Sequence, residues 1–297
     1  MRKPLVAALF ALVIAGAGVA PAVAAPAPET APAETVTAET AAAPAETAAA
    51  PVIQAVDFAG TVSLSNCSGS VIRMPASEAD DPALVLSNGH CLETGFPEPG
   101  EVIVDQASTR TFGLLNSAGT RVATLRASKV AYATMTDTDV TIYQLTSTYA
   151  QIQSAYGISA LTLQDTHPVA GTAIKVVSGY WKRIYTCAID GFVYRVKEGD
   201  WTWKDSVRYT SACNTIGGTS GSPVIDNATG KVVAVNNTGN EDGATCTLNN
   251  PCEVDASGNV TVRQGINYAQ ETYQIVPCFG LDNKLDLSRT GCTLPQP

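Results

Sequence analysis

GGTSGSPV, residues 217–224, places Ser220 among glycines directly before an apolar, strand-like run. Glycine adopts backbone conformations that residues with a Cβ avoid, so the chain can turn sharply here and point its amides inward. A serine hydroxyl is a weak nucleophile that needs a base beside it and donors for the oxyanion that forms. The segment predicts a nucleophilic Ser220, with the amides of Gly218 and Ser220 as the oxyanion donors. A plain Gly/Ser turn between strands is the alternative.

A base for Ser220 must be one of the two histidines in the chain. His90 lies in LSNGHC, residues 86–91, directly after an apolar run and beside a cysteine that can hold its loop. His167 precedes a proline in a polar connector, where we expect its side chain to face solvent. His90 is therefore the better placed base.

The third residue expected is a buried carboxylate that orients the imidazole and stabilises its charged form. Asp139 opens DVTIYQL, residues 139–145, which reads as a half-buried strand. Asp137 is the alternative, two residues earlier. A strand-end aspartate alone is more typical of a turn, so the assignment of Asp139 depends on the other two residues.

The remaining pattern favours an all-β protein. Short β-branched and apolar runs separated by turn residues recur from Gly60 onward, without helical periodicity. The dipeptide at 190–191, Asp-Gly, is typical of a type I′ turn and predicts a hairpin. Only residues 268–275 look helical, and Pro277 would end this short C-terminal helix.

The first 55 residues differ from the rest. Residues 1–24 combine a basic start, an apolar run and an Ala-Val-Ala cleavage site, which predicts a secretory signal peptide. The run is shorter than the roughly 20 residues needed to cross a bilayer. Residues 25–55, almost wholly Ala, Pro, Glu, Thr and Val, predict a disordered stalk or pro-segment. We therefore expect a secreted, extracellular protein with no membrane contact after cleavage.

Charge and cysteine content limit the partners. The net charge of −9 argues against nucleic acid and anionic membranes. Eight cysteines, all beyond residue 55, fit an oxidising compartment and four disulfides. A metal site is the alternative, but the chain has only two histidines and no tight C-x2-C pair, so we expect no metal. Spacing alone leaves the disulfide pairing open.

Taken together, the motifs resemble those of trypsin-like peptidases. The stretch CSGSVI at 67–72 followed by NGHC at 88–91 resembles the family's cysteine-bridged histidine block. DVTI at 139–142 resembles its aspartate block, and GTSGSP at 218–223 its serine block. The chain order His, Asp, Ser is also that of the family. The resemblance covers roughly residues 58–275 and is strong at these blocks.

The resemblance implies two six-stranded antiparallel β-barrels with the site in the cleft between them. The first barrel would span residues 56–150 and carry His90 and Asp139. The second, residues 151–268, would carry Ser220, and residues 269–297 would form the C-terminal helix and a disulfide-pinned tail. The family implies a bridge between Cys67 and Cys91. Proximity in sequence suggests the other three, Cys187 with Cys213, Cys246 with Cys252 and Cys278 with Cys292.

The function implied is a serine endopeptidase that acts on polypeptides through an acyl-enzyme, as a monomer and without metal or organic cofactor. A catalytically silent, secreted binding protein on the same fold is the alternative. An α/β-hydrolase is disfavoured, because Ser222 replaces the second glycine of Gly-x-Ser-x-Gly and both partners precede Ser220. Thr219 stands where animal digestive enzymes have an aspartate that pairs with a new N-terminus, so we expect no such activation.

Specificity is inferred by counting from Ser220. We expect substrate contacts from the base and one wall of the primary pocket: Asn214, Thr215, Asn236, Asn237, Thr238 and Gly239. These positions hold neither the acid of trypsin-like specificity nor the histidine of glutamyl enzymes, which predicts a polar, uncharged pocket. Glu241 and Asp242 could restore a basic preference or belong to a solvated loop. Trp201 and Trp203 could pack at a hairpin edge or line the cleft rim.

Overall fold

The computed structural model describes residues 56–297. The predicted signal peptide and stalk lie outside the described residues. One α-helix, α1 (Tyr149–Tyr156), and three short 3-10 helices, Gly89–Cys91, Val276–Cys278 and Leu281–Asn283, occur in this part of the chain. The strands are β1 (Thr61–Ser63), β2 (Ser68–Arg73), β3 (Pro82–Ser87), β4 (Val102–Ala107), β5 (Thr111–Leu115), β6 (Arg121–Thr134), β7 (Val140–Thr148), β8 (Leu161–Thr162), β9 (Ala173–Ser178), β10 (Arg183–Glu198), β11 (Trp201–Tyr209), β12 (Pro223–Asp226), β13 (Val232–Gly239), β14 (Cys252–Val254), β15 (Val260–Thr261) and β16 (Asn267–Glu271).

The first barrel is a closed ring of six antiparallel strands. Its order is β1-β5-β6-β7-β3-β2, and the β1–β2 pairing closes it. Strand β4 adds to β6, and the short β8 runs parallel to β2 outside the ring. Val71, Val85, Phe112 and Tyr143 are among the buried side chains of its core. These strands are rich in β-branched and aromatic residues, which pack well on a pleated surface.

The second barrel repeats this arrangement. Its ring runs β9-β10-β11-β16-β13-β12 and closes through β12 and β9, while β14 and β15 extend from β10. Ile174, Val176, Tyr209 and Val224 lie in its core. The prediction of an all-β protein with two six-stranded antiparallel barrels is confirmed.

A shared apolar cluster joins the two barrels. Leu86 and Ile142 of the first barrel pack in one cluster with Val177 and Val235 of the second. Each such side chain contributes about 1.5–3 kcal/mol when it is fully buried. The C-terminal segment adds Phe279 and other apolar residues to the same cluster. This packing fixes the position of the barrels and therefore of the cleft between them.

The predicted C-terminal helix is wrong. Residues 267–271 form β16, which pairs with β11 and β13 and helps to close the second barrel. All five residues of β16 are buried, so the segment has no solvent face of the kind an amphipathic helix would need. Gln270, polar but buried, donates to the Ser206 hydroxyl at 3.1 Å. Strand pairing across the barrel overrides the local helical pattern here.

The predicted Asp190-Gly191 hairpin is also wrong. Strand β10 continues through this dipeptide, and only a register shift between Ile189 and Gly191 marks it as a bulge. The carboxylate of Asp190 accepts a hydrogen bond from Arg208 Nε of β11 at 2.6 Å, which holds the bulge against its partner strand. The chain reverses instead at residues 199–200, where Gly199 has a positive φ of 55°.

All four expected disulfides are present, and they pair all eight cysteines of the chain. They are Cys67–Cys91, Cys187–Cys213, Cys246–Cys252 and Cys278–Cys292. Among residues 56–297, no helix combines the length and the apolar character needed to span a membrane.

Candidate active site

His90 is held on a short 3-10 turn that follows β3. The disulfide from Cys91 ties this turn to Cys67, directly before β2. Gly89 allows the turn to approach the neighbouring strand, because a Cβ there would lie 2.3 Å from the Thr134 carbonyl oxygen. Because residue 89 has no side chain, the turn can come close enough for the His90 imidazole to reach the start of β7.

Asp139 lies directly before β7 and is fully buried. Its carboxylate accepts hydrogen bonds from His90 Nδ1 at 2.7 Å and from the His90 backbone amide at 3.1 Å. This arrangement places the ring proton on Nδ1 and leaves Nε2 able to accept a proton. Asp137, the alternative carboxylate, instead forms an ion pair with Lys204 at 2.5 Å.

Opposing effects act on the pKa of His90. Burial lowers it, whereas the charge of Asp139, its hydrogen bond and the charge of Glu198 raise it. The net result is a pKa above the usual 6.5. The imidazole is therefore a stronger base than a free histidine side chain.

Ser220 lies in the second barrel, on the turn before β12. The first barrel holds this turn, since the Ser68 amide donates to the Ser220 carbonyl at 2.8 Å. Gly221 follows with a φ of 80°, and a Cβ there would lie 2.1 Å from the Ser68 carbonyl oxygen. The Ser220 hydroxyl donates to the Asn237 carbonyl at 3.2 Å, and within residues 56–297 it has no hydrogen bond to His90.

The two amides expected to bind an oxyanion are unpaired. Neither the Gly218 nor the Ser220 amide donates a hydrogen bond to another residue within the described part of the chain. The preceding carbonyl, that of Gly217, accepts from Trp181 Nε1 at 2.7 Å. Because the C=O and N–H of a trans peptide point in opposite directions, this bond directs the Gly218 amide away from Trp181. Sequence reasoning missed this role of Trp181.

Thr219 is buried in a network without charged members. Its hydroxyl donates to the Ile216 carbonyl at 2.5 Å and accepts from Asn236 Nδ2 at 3.2 Å. The turn before Ser220 is therefore stabilised by internal hydrogen bonds at the position where some relatives have an aspartate.

His90 and Ser220 line one cleft with a volume of about 470 Å³. The other lining residues include all six positions expected to bind substrate, which are Asn214, Thr215, Asn236, Asn237, Thr238 and Gly239. Asn267 of β16 also lines it, and accepts a hydrogen bond from the Thr215 hydroxyl at 2.8 Å. Glu241 lies at the cleft and is exposed, whereas Asp242 is not among the lining residues. These contacts give this part of the cleft a polar surface.

The other side of the cleft is aromatic and contains one acid. Phe96 packs edge-on against His90 with 5.8 Å between ring centroids, and against Trp201 with 5.7 Å. Glu198, at the end of β10, is 4% exposed, and burial raises its pKa. Trp203 is buried and, like Trp201, lines the cleft, so packing and cleft lining are not exclusive alternatives for these tryptophans. The sequence carries no signal that links Phe96 or Glu198 to His90.

A family model described as a trypsin-like peptidase domain matches residues 67–235. The chain belongs to this family. The matched segment of this trypsin-like peptidase contains His90, Asp139 and Ser220. No curated protein matches the sequence.

Two solved structures illustrate the similarity of the peptidase to known chains. One is the MamO protease domain of Magnetospirillum magneticum, with 12% identity, a TM-score of 0.46, and 74% of this chain and 95% of that chain covered. The other is a protease of M. tuberculosis in its active form, with 14% identity, a TM-score of 0.47, and 86% and 97% covered. At such identities nothing about activity follows from the similarity.

Proposed function

We propose that this trypsin-like peptidase is a serine endopeptidase that hydrolyses peptide bonds through an acyl-enzyme. The observation that carries the proposal is the 2.7 Å hydrogen bond between His90 Nδ1 and buried Asp139, in a cleft that Ser220 also lines. Asp139 orients the ring and stabilises its charged form, so that Nε2 is the base. His90 and Asp139 come from the first barrel and Ser220 from the second, and His90 and Ser220 line the same cleft.

In the reaction, Ser220 Oγ attacks the scissile carbonyl carbon while its proton passes to His90 Nε2. The amides of Gly218 and Ser220 donate to the oxyanion of the tetrahedral intermediate. The imidazolium then protonates the leaving amine, the C–N bond breaks, and the acyl group stays on Ser220. Water, deprotonated by His90, attacks the ester carbonyl; the bond to Ser220 Oγ then breaks, the imidazolium returns the proton to Oγ, and the acid leaves. No metal or organic cofactor takes part.

The Ser220 hydroxyl must turn from Asn237 towards His90 before it can react. Its present acceptor is the Asn237 carbonyl at 3.2 Å, so this hydrogen bond must break first. Hydrogen bonds of this kind are often long or absent in free enzymes and form in the substrate complex. We expect the substrate backbone to pair with residues 237–239 of β13 as an added strand.

The primary pocket favours an uncharged side chain before the cut bond. Thr215, Asn236 and Asn267 line the part of the cleft that we expect to be this pocket, and the Thr215 hydroxyl donates to the side-chain oxygen of each asparagine. A charged side chain would lose water there without meeting an opposite charge on any of these three residues, which is costly. Cleavage mapping in a peptide library tests this preference. Predominant cleavage after Lys or Arg would show that Glu241 sets the specificity instead.

The location and partners that we propose for the enzyme are argued from its composition and its disulfides. Four disulfides persist in oxidising compartments, and the start of the sequence predicts export, so we place the mature enzyme outside the cell. We propose that it acts as a monomer on polypeptides. With a net charge of −9, nucleic acid and anionic membranes are unfavourable partners.

Peptide hydrolysis by matched serine variants tests the proposal. Ser220→Ala removes the nucleophile and should lower kcat by several orders of magnitude, leaving the contribution of binding and the oxyanion donors. Ser222→Ala removes a neighbouring buried hydroxyl that has no hydrogen-bond partner among the described residues, and serves as the control. Equal activity of Ser220→Ala and the parent enzyme would contradict the proposal.

A further inference from the structure

His167 lies between two carboxylates on the second barrel. Its Nε2 atom is 3.0 Å from Glu271 Oε1 and 3.3 Å from Asp205 Oδ2. The three residues come from separate elements, namely the connector before β9, strand β11 and the end of β16. Their candidate ligand atoms all lie within 4.8 Å of one another. We call these residues the His167 cluster.

The Glu271 carboxylate is buried and accepts no hydrogen bond from an N–H or O–H group of the described residues. Its side chain is 0% exposed, and neither carboxylate oxygen has a hydrogen bond among residues 56–297. The contact with His167 is short, but it does not have hydrogen-bond geometry. Buried carboxylates are normally paired, hydrogen-bonded or bound to a metal ion.

The tautomer of His167 leaves Nε2, the ring nitrogen nearest these carboxylates, without a proton. Its Nδ1 atom is 2.6 Å from the Pro168 carbonyl oxygen, which can only accept, so Nδ1 carries the proton. In the neutral ring, Nε2 is then an unprotonated nitrogen. Metal-binding histidines usually donate their other N–H to a carbonyl or carboxylate in this way. Phe192 and Tyr273 pack against the ring at centroid distances of 4.3 and 5.2 Å and fix its orientation.

An ion pair between a charged His167 and the two acids is the competing explanation. A charged imidazole donates from both nitrogens, and its Nε2–H would hydrogen-bond to Glu271 or Asp205. Neither short contact has that geometry, although Asp205 Oδ2 does accept from the Tyr273 hydroxyl at 3.2 Å. The ion pair therefore leaves the buried Glu271 oxygens without a donor.

We propose that His167, Asp205 and Glu271 bind one Zn²⁺ ion. Zinc binds His nitrogen and carboxylate oxygen at about 2.0–2.2 Å in a tetrahedral shell, which puts neighbouring ligand atoms about 3.3–3.5 Å apart. The observed 3.0 and 3.3 Å are close to this separation. Water completes the shell on the open side, where the His167 side chain is 40% exposed. Calcium fits less well, because it takes six to eight oxygen ligands.

A zinc ion here would tie the connector to β11 and β16. It would neutralise two carboxylates that otherwise repel each other beside a barrel strand. The residues concerned are not among those that line the cleft of Ser220. The site is therefore structural, and it departs from the sequence-based expectation of no metal.

Zinc titration of the purified protein after treatment with a chelator tests this inference. In isothermal titration calorimetry near pH 7.5, we expect one Zn²⁺ per chain. His167→Gln should weaken zinc binding by at least about tenfold. Loss of a residue that only hydrogen-bonds to a metal ligand typically costs that much, and loss of a ligand itself should cost no less. His90→Gln changes the only other histidine and should bind zinc as the parent does. Ser220→Ala should also bind normally, so this result does not depend on peptidase activity.

Two outcomes would overturn the inference. One is the absence of saturable zinc binding by the parent protein, and the other is an unchanged dissociation constant in His167→Gln. If His167→Gln does not fold, Asp205→Asn alters a partly exposed ligand and must weaken binding to the same extent. The thermal midpoint of the parent should rise with added zinc, while that of a folded His167→Gln protein should not.

Discussion

Trp181 is predicted to support catalysis without touching the substrate. Trp181→Phe keeps an aromatic ring beside Gly218 but removes the 2.7 Å hydrogen bond to the Gly217 carbonyl. Without it, the 217–218 peptide can rotate, and a rotated peptide turns the Gly218 amide away from the oxyanion. Trp181 is 49% exposed, so we expect little loss of folding stability.

The size of the effect follows from the free energy of one hydrogen bond. Such a bond contributes about 0.5–1.5 kcal/mol, which corresponds to a loss of about two- to twelvefold in the fraction of molecules with the correct peptide orientation. Complete loss of one oxyanion donor lowers kcat by a factor of about 10²–10³, which is the upper limit for the effect of Trp181→Phe. We therefore expect kcat/KM to fall about two- to twelvefold, mainly through kcat.

Steady-state hydrolysis and inhibition by a peptide boronate measure this effect. A boronate adduct of Ser220 resembles the tetrahedral intermediate, so its inhibition constant should rise by the same factor as kcat/KM falls. Tyr180→Phe is the matched control, because it removes a neighbouring hydroxyl and retains the ring. A change confined to KM, or equal kinetics of Trp181→Phe and Tyr180→Phe, would refute the reasoning.

Three further predictions concern the base, its orienting acid and the loop that carries it. The activity should rise with pH as the imidazole of His90 loses its proton, with a midpoint above 6.5. Glu198→Gln removes one of the charges that raise this pKa, so the midpoint of the kcat/KM profile should move to lower pH; an unchanged midpoint would show that Glu198 does not act on His90. Asp139→Asn should lower kcat by about 10⁴, because the amide favours the wrong tautomer. Rates of peptide hydrolysis within tenfold of the parent would contradict that role. Replacing Cys67 and Cys91 by serine opens a loop whose ends are 24 residues apart, which should lower the free energy of unfolding by about 3.5 kcal/mol in denaturant titrations. A loss below about 1 kcal/mol would show that the bridge adds little to the packing of the barrel.

The sequence predicted the residues that have local signals. Ser220 is surrounded by glycines, and His90 is next to a bridged cysteine. Asp139 opens an alternating strand, so each is recognisable from its own neighbours. The two-barrel fold followed from the resemblance that these segments share, and the strand runs agreed with it.

Features that depend on distant pairing were not predictable. Residues 268–275 look helical alone, but the first four of them belong to β16, which pairs with two strands of the barrel. Asp190-Gly191 reads as a turn, yet Arg208 of the partner strand holds it in a bulge. Sequence patterns describe short segments, so they do not show which partner a segment meets.

The contacts around the cleft and those in the His167 cluster were not predictable for the same reason, because they join residues that are far apart in the sequence. Glu198 and Phe96 come from different barrels and line one cleft only because the barrels pack together. His167 precedes a proline in a polar segment, which is typical of solvent exposure. Its carboxylate neighbours, Asp205 and Glu271, come from two later strands, and no local pattern connects them to it.

The reactivity of Ser220 is the central claim, and labelling with a fluorophosphonate tests it most directly. Such a reagent modifies a serine only when a base and oxyanion donors activate it. We predict one label per chain, mapped by mass spectrometry to Ser220, and none in His90→Gln. A chain that binds peptides but remains unlabelled would be the catalytically silent binding protein instead, and would contradict the account.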